Sequence, residues 1–215
     1  MPLADCAIVR ALPVAFSGAL SLIASSAFAD QSPSFDCARA ASSAETLVCN
    51  DAELAKLDRE LADHFAQALA AAKEGEAAGG QSVAELRAYQ RGWIKGRDDC
   101  WKAQDLRECV EASYRMRDAE LVATWMLEEP INTVTWVCDG DPANQVTTMF
   151  FDTDLPSVRF ERGDSVDVGY LARTASGARY DGSFGRYIWT KGDEATYRDP
   201  SGEGKEYTCE LAAEG

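Results

Sequence analysis

Between Asn50 and Leu69 the apolar residues Leu54, Leu57, Leu61, Phe65 and Leu69 recur at steps of three and four. That spacing lines one face of a helix, with Asn50 as its cap and Glu53 completing a capping box. The run "EGEAAGGQS" around Gly79 and Gly80 interrupts the period. A second helix follows, carrying Leu86, Tyr89, Trp93 and Ile94 inward, and a third runs from about Leu106 through Tyr114 and Leu121 to Trp125.

The helical period stops at Glu128-Glu129-Pro130, and from there the pattern alternates. "NTVTWVC", "QVTTMFF", "SVRFE", "SVDVGYLA", "RYIWTK", "EATYR" and "EYTCEL" read as short strands. Asp139-Gly140-Asp141-Pro142, Arg162-Gly163-Asp164, Gly192-Asp193 and Pro200-Ser201-Gly202 separate them as turns. Seven or eight antiparallel strands in so short a stretch suit a small barrel, which leaves no exposed sheet edge. The expected architecture is therefore α+β in two domains, a helical one over 30–129 and a β-barrel over 130–215.

The segment from Ala11 to Ala29, "ALPVAFSGALSLIASSAFA", follows Arg10 and is apolar, with small residues at its end. It reads as a signal peptide over residues 1–29, cleaved after Ala29, and so as an exported protein without a membrane anchor. Cys6 precedes the apolar run, where it could not become a lipidated first residue. Six cysteines then remain in a chain that enters an oxidising compartment: Cys37, Cys49, Cys100, Cys109, Cys138 and Cys209. Three disulfides are expected. Order along the chain favours Cys37 with Cys49, Cys100 with Cys109, and Cys138 with Cys209, but spacing alone leaves the other pairings open. With no C-x-x-C and a single histidine, no metal site and no cofactor is expected.

The formal net charge is −15, which argues against nucleic acid as a partner and favours a basic protein, or simply solubility. No catalytic constellation stands out. His64 sits on an Ala-rich helix and reads as an ordinary helix residue, and the pairs Asp139/Asp141 and Asp152/Asp154 fall at turns that account for them. The chain is not expected to be an enzyme.

"SGARYDGSFGRYIWTKGDEATY", Ser176 to Tyr197, is the remaining oddity. Ser176-Gly177 and Asp181-Gly182-Ser183 are turns flanking Arg179 and Tyr180. Protruding loops held on a rigid scaffold are where binding modules keep their contacts. Tyr180, Tyr187 and Trp189 suit packing roles, whereas Ser176 and Lys191 have none that is obvious.

These motifs, Ser176-Gly177-Ala178-Arg179-Tyr180, Trp189-Thr190-Lys191-Gly192-Asp193-Glu194-Ala195 and Tyr207-Thr208-Cys209, together with "TWVCDG", resemble the MliC/PliC family of C-type lysozyme inhibitors over residues 132–211. Residues 34–121 resemble the LprI-type inhibitor domain. The pattern is Phe35-Asp36-Cys37, Cys49-Asn50-Asp51, Leu57-Asp58, Gln90-Arg91-Gly92-Trp93, Arg97-Asp98, Cys100 and Cys109. The first resemblance implies an eight-stranded barrel that inserts its Ser-Gly loop into the lysozyme cleft. Ser176 and Lys191 would then meet the two catalytic carboxylates, with Gly177, Arg179 and Tyr180 as further contacts. It also implies a strongly basic partner, a periplasmic setting and a Gram-negative source. The alternative is a non-inhibitory envelope-binding or structural module. Ser176 and Lys191 stand one position further apart than the family pattern, and the extra residue falls in "DGSFG", among turn residues, so strand register up to Lys191 is expected to be kept and the loop tip to be displaced.

Overall fold

The computed structural model describes residues 32–74, 82–200 and 204–213. The signal segment with Ala29, the Gly79-Gly80 break and the Ser201-Gly202 turn lie outside them. Two parts follow one another and pack into one compact unit. The first contains helices α1 (Ser43–Asn50), α2 (Ala52–Glu74), α3 (Val83–Asp98) and α4 (Leu106–Trp125). The second is a closed antiparallel barrel of β1 (Asn132–Cys138), β2 (Gln145–Phe151), β3 (Ser157–Arg162), β4 (Ser165–Ala172), β5 (Ala178–Asp181), β6 (Tyr187–Lys191), β7 (Glu194–Arg198) and β8 (Glu206–Leu211).

The helix starts differ from the sequence expectation in one residue and one element. Asn50 ends α1, with its side-chain amide donating to the Thr46 carbonyl at 2.6 Å. It is Asp51 that caps α2, accepting from the backbone N–H groups of Glu53 and Leu54. Among the described residues, Ser42 with Glu45 and Ser82 with Glu85 form capping boxes, each satisfying two backbone donors that the first turn would leave bare.

On α3 the buried face runs through Leu86 and Arg97, with Trp93 half-buried beside them. Tyr89 is 58% exposed and Ile94 37%, contrary to their expected inward placement. At 100° per residue the line 86–93–97 is nearly straight, while 89 and 94 fall to either side of it. A purely apolar reading cannot see that the third inward position belongs to an arginine.

All three disulfides join the pairs that chain order favours: Cys37–Cys49, Cys100–Cys109 and Cys138–Cys209. The last joins directly opposed residues of β1 and β8, closing the barrel covalently where first strand meets last. It spans 71 residues, for which the chain-entropy model gives roughly 4 kcal/mol.

Helix α4 has two working faces. Val110, Tyr114, Leu121 and Trp125 enter the helical core, while Val122 and Ala123 pack on Phe151 and Val168 of the barrel. Arg159, on β3 and 2% exposed, reaches across to donate to the Thr124 carbonyl at 2.8 Å. A guanidinium at a helix C-terminus satisfies carbonyls that have no partner within the helix and opposes the negative end of its dipole. The two parts are therefore joined through α4 by packing and by a buried charge.

Candidate functional site

Strands β5 and β6 form a hairpin in the register Ala178↔Thr190, Arg179↔Trp189, Tyr180↔Ile188 and Asp181↔Tyr187. Ser176-Gly177 precedes β5 and Lys191 ends β6, so this pairing brings Ser176 and Lys191 to the same end of the barrel. Both are exposed. Trp189 links them. Its indole Nε1 donates to the Ser176 carbonyl at 2.8 Å, and Lys191 Nζ lies 4.0 Å from the ring centroid. Thr174 Oγ1 adds donor contacts to the carbonyls of Ser176 and Gly177, at 3.2 and 3.0 Å. The loop is thereby held by its backbone, which leaves the serine hydroxyl outside these contacts.

Gly177 adopts φ +70° and lies against β6. A β-carbon there would run into the Thr190 carbonyl oxygen and stand 2.8 Å from Lys191 Cγ. Both the left-handed backbone and the close approach require glycine.

The other expected contacts are placed differently. Arg179 Nε donates to Asp181 Oδ1 at 2.7 Å, and its guanidinium stacks 4.0 Å from the Tyr187 ring, so its charge is spent along the strand. Tyr180 packs edge-on against Phe150, with ring centroids 5.3 Å apart, and burial raises its hydroxyl pKa. The structure thus brings together Ser176, Gly177 and Lys191, around Trp189.

"DGSFG" forms the β5–β6 turn, at the opposite end of the hairpin from Ser176 and Lys191. The β5–β6 ladder holds its register from this turn to the Ser176–Lys191 end, as expected. Ser183 anchors the turn on Asp167 through its backbone N–H and its hydroxyl, each at 2.9 Å. Phe184 sits at φ 54° and is 94% exposed.

In the helical part, Asp58, Arg97 and Cys100 of the motif are buried. Asp58 accepts from the Tyr114 hydroxyl at 2.8 Å and from Ser34 N and Oγ at 2.6 Å. Arg97 donates to Tyr114 at 2.8 Å and pairs with Asp98, and its guanidinium stacks on Trp93. Gln90 accepts from Arg117 Nε at 3.0 Å. Burial pushes the Tyr114 hydroxyl well above its ordinary pKa. His64 also has a partner that the sequence reading missed. Its Nδ1 lies 2.7 Å from Asp118 Oδ1, tying α2 to α4, and burial raises the pKa of that carboxyl against the lowering effect of His64.

Comparison with known proteins bears on both parts. Residues 136–208 match the family described as membrane-bound lysozyme-inhibitor of c-type lysozyme. Residues 37–104 match the family described as lysozyme inhibitor LprI. Proteins named Lipoprotein LprI from Mycobacterium bovis and Mycobacterium tuberculosis are 31% identical over 149 residues, covering 68% of this chain and 70% of theirs. The chain belongs to the LprI family. No solved structure matches it. The LprI match falls in the helical part, which holds two of the disulfides, and the MliC match falls in the barrel, which holds the third. Both matching families are inhibitor families rather than enzyme families, and they support a lysozyme-inhibitor role with lysozyme as the partner. No described helix is long and apolar enough to cross a membrane.

Proposed function

We propose that this LprI-family protein is an exported, non-enzymic inhibitor of C-type lysozyme that acts in the periplasm. The Ser176-Gly177 turn enters the enzyme's cleft, and the Ser176 hydroxyl and Lys191 ammonium engage its two catalytic carboxyl groups. The observation that carries this reading is the shared anchoring of Ser176 and Lys191 on Trp189, which fixes a hydroxyl-bearing loop beside a cation on an exposed barrel end.

The chemistry is complementary. A glycosidase cleft holds one protonated and one ionised carboxyl group a few ångströms apart. A hydroxyl can hydrogen-bond one and an ammonium can pair with the other. Such a charge-assisted contact gains strength once lysozyme covers it and excludes water. The barrel over 130–215 presents these groups, and the helical part over 30–129 braces the barrel through α4. The net charge of −15 suits a basic partner and should make association fast at low salt.

Lysis of a peptidoglycan substrate by a C-type lysozyme tests the reading. Residues 30–215 should inhibit at near-stoichiometric ratio, and Ser176→Ala and Lys191→Ala should each weaken inhibition without lowering the melting temperature. Absence of inhibition at a large molar excess would overturn it.

A further inference from the structure

A groove of about 1090 Å³ runs between the helical part and the barrel, bordered by α3 and α4 on one side and by β4 and the β5–β6 turn on the other. Four exposed apolar side chains line it: Tyr89, Met116, Leu171 and Phe184. Phe184 is presented on the turn that Asp167 anchors, so its exposure is built into a fixed loop rather than a floppy one. Large apolar groups converging on one surface groove mark an interaction site more often than isolated exposed residues do.

The charges of the groove have one sign. Its lining carries Glu85, Glu120, Asp164, Asp167 and Asp181, and neither lysine nor arginine. Glu120 and Asp167 are held in place by Arg117 and Arg186, which are buried behind them, and Asp181 by Arg179 on its own strand. Three of the five carboxylates are thereby fixed, while the surface offered to a partner is apolar with an acidic border. A basic protein with a few projecting apolar groups suits it.

The groove also adjoins the candidate inhibitory loop. Leu171 and Ala172 line it at the end of β4, and the chain passes from them directly into the 173–177 segment that carries Ser176. A partner seated on Ser176 and Lys191 reaches this end of the groove without leaving the surface. The packing of α4 on the barrel fixes the far wall, so the helical part can contribute contacts without a domain movement.

We infer that the groove between α3/α4 and β4/β5 is a second docking surface for the same basic lysozyme, so that the helical part contributes directly to binding. This inference rests on the inhibitory reading above. The surface supplies affinity and approach, while the Ser176–Lys191 end blocks the cleft.

The test measures binding of the full chain to a C-type lysozyme by calorimetry and by association kinetics at low and moderate salt. Met116→Lys and Leu171→Lys put a cation on exposed groove positions, and Trp101→Lys puts one on an exposed helical position outside the groove. Each groove variant should weaken binding by roughly tenfold, with slower association at low salt, while Trp101→Lys changes it little. All three should melt as the unaltered protein does. Inhibition at saturating concentration should survive in the groove variants, because Ser176 and Lys191 remain. If groove and control variants bind alike while Lys191→Ala still loses inhibition, the second surface is wrong and the inhibitory reading stands. If the groove variants change self-association and not lysozyme binding, the groove is an interface between copies and the inference fails. If the unaltered protein does not bind lysozyme, both fall together.

Discussion

Trp189 and Ser176 are joined through the loop backbone. The indole Nε1 donates to the serine carbonyl at 2.8 Å, which orients the residue without consuming its hydroxyl. The same ring carries Lys191 Nζ on its face at 4.0 Å. One aromatic side chain thus sets the position of both groups proposed to enter the cleft. Trp189→Phe keeps a ring face for the lysine and deletes the donor. A typical hydrogen bond contributes about 0.5–1.5 kcal/mol net, so inhibition should weaken severalfold with little change in melting temperature. Inhibition constants equal to those of the unaltered protein would show that the loop needs no such anchor.

Gly177→Ala should be worse than its size suggests. The substitution forces a β-carbon onto a residue at φ +70° and drives it into the Thr190 carbonyl oxygen. A residue held in such a region costs on the order of 1–3 kcal/mol, and the loop should move away from β6 to relieve it. Loss of inhibition with a folded barrel, seen as unchanged far-ultraviolet circular dichroism, is the expected pair of results. Full inhibition by this variant would contradict the close packing of the loop on β6.

Arg159→Met tests the joint between the parts. It removes a buried guanidinium that donates to the Thr124 carbonyl and pairs with Glu161 at 2.7 Å. A hydrogen bond from a charged donor contributes about 1.5–3 kcal/mol. Urea unfolding should shift to a lower midpoint and lose coincidence between fluorescence and circular dichroism, as the helical part and the barrel begin to unfold separately. A single unshifted transition would mean that the packing of Val122 and Ala123 on the barrel suffices alone.

Alkaline pH should destabilise the protein in a defined window. Burial raises the hydroxyl pKa of Tyr114, Tyr170, Tyr180, Tyr187 and Tyr197 above the ordinary tyrosine value of 10.0. Above that value the unfolded chain releases protons that the folded chain still holds, so stability falls as pH rises. The contribution is fully present below about pH 10 and is lost above it. The urea midpoint should therefore change little on this account between pH 7 and 9 and drop between pH 10 and 11. A flat profile to pH 11 would contradict the burial of these rings.

Local patterns carried much of the fold. The face of α2 through Leu54 and Leu61, the extent of α4 and the alternation of β1 were legible because each obeys one period along its length, whereas β3 buries Ser157 through Phe160 in succession. The face of α3 was less so, because Arg97 takes an inward position that only Asp98, Tyr114 and Trp93, brought from two helices, make tolerable. The cap of α2 shifted by one residue, since Asn50 and Asp51 are equally good capping types and only the preceding helix α1 decides between them. The Ser82-to-Glu85 capping box has a legible signal in the sequence, the S-x-x-E spacing.

By itself, the sequence determined the two successive periods, the cysteines and their order, the acidic charge and the motifs that place the chain among lysozyme inhibitors. Those features reside in residue type and spacing, which persist whatever the chain does in space. Only the tertiary structure decided that Ser176 and Lys191 share one end of a hairpin, with the "DGSFG" turn at the other, and that α4 welds the helices to the barrel. It also made the groove of Tyr89, Met116, Leu171 and Phe184, residues separated by up to 95 positions. The reason is physical: strand register, helix rotation and buried charge pairs depend on partners distant along the chain, and no local period encodes them.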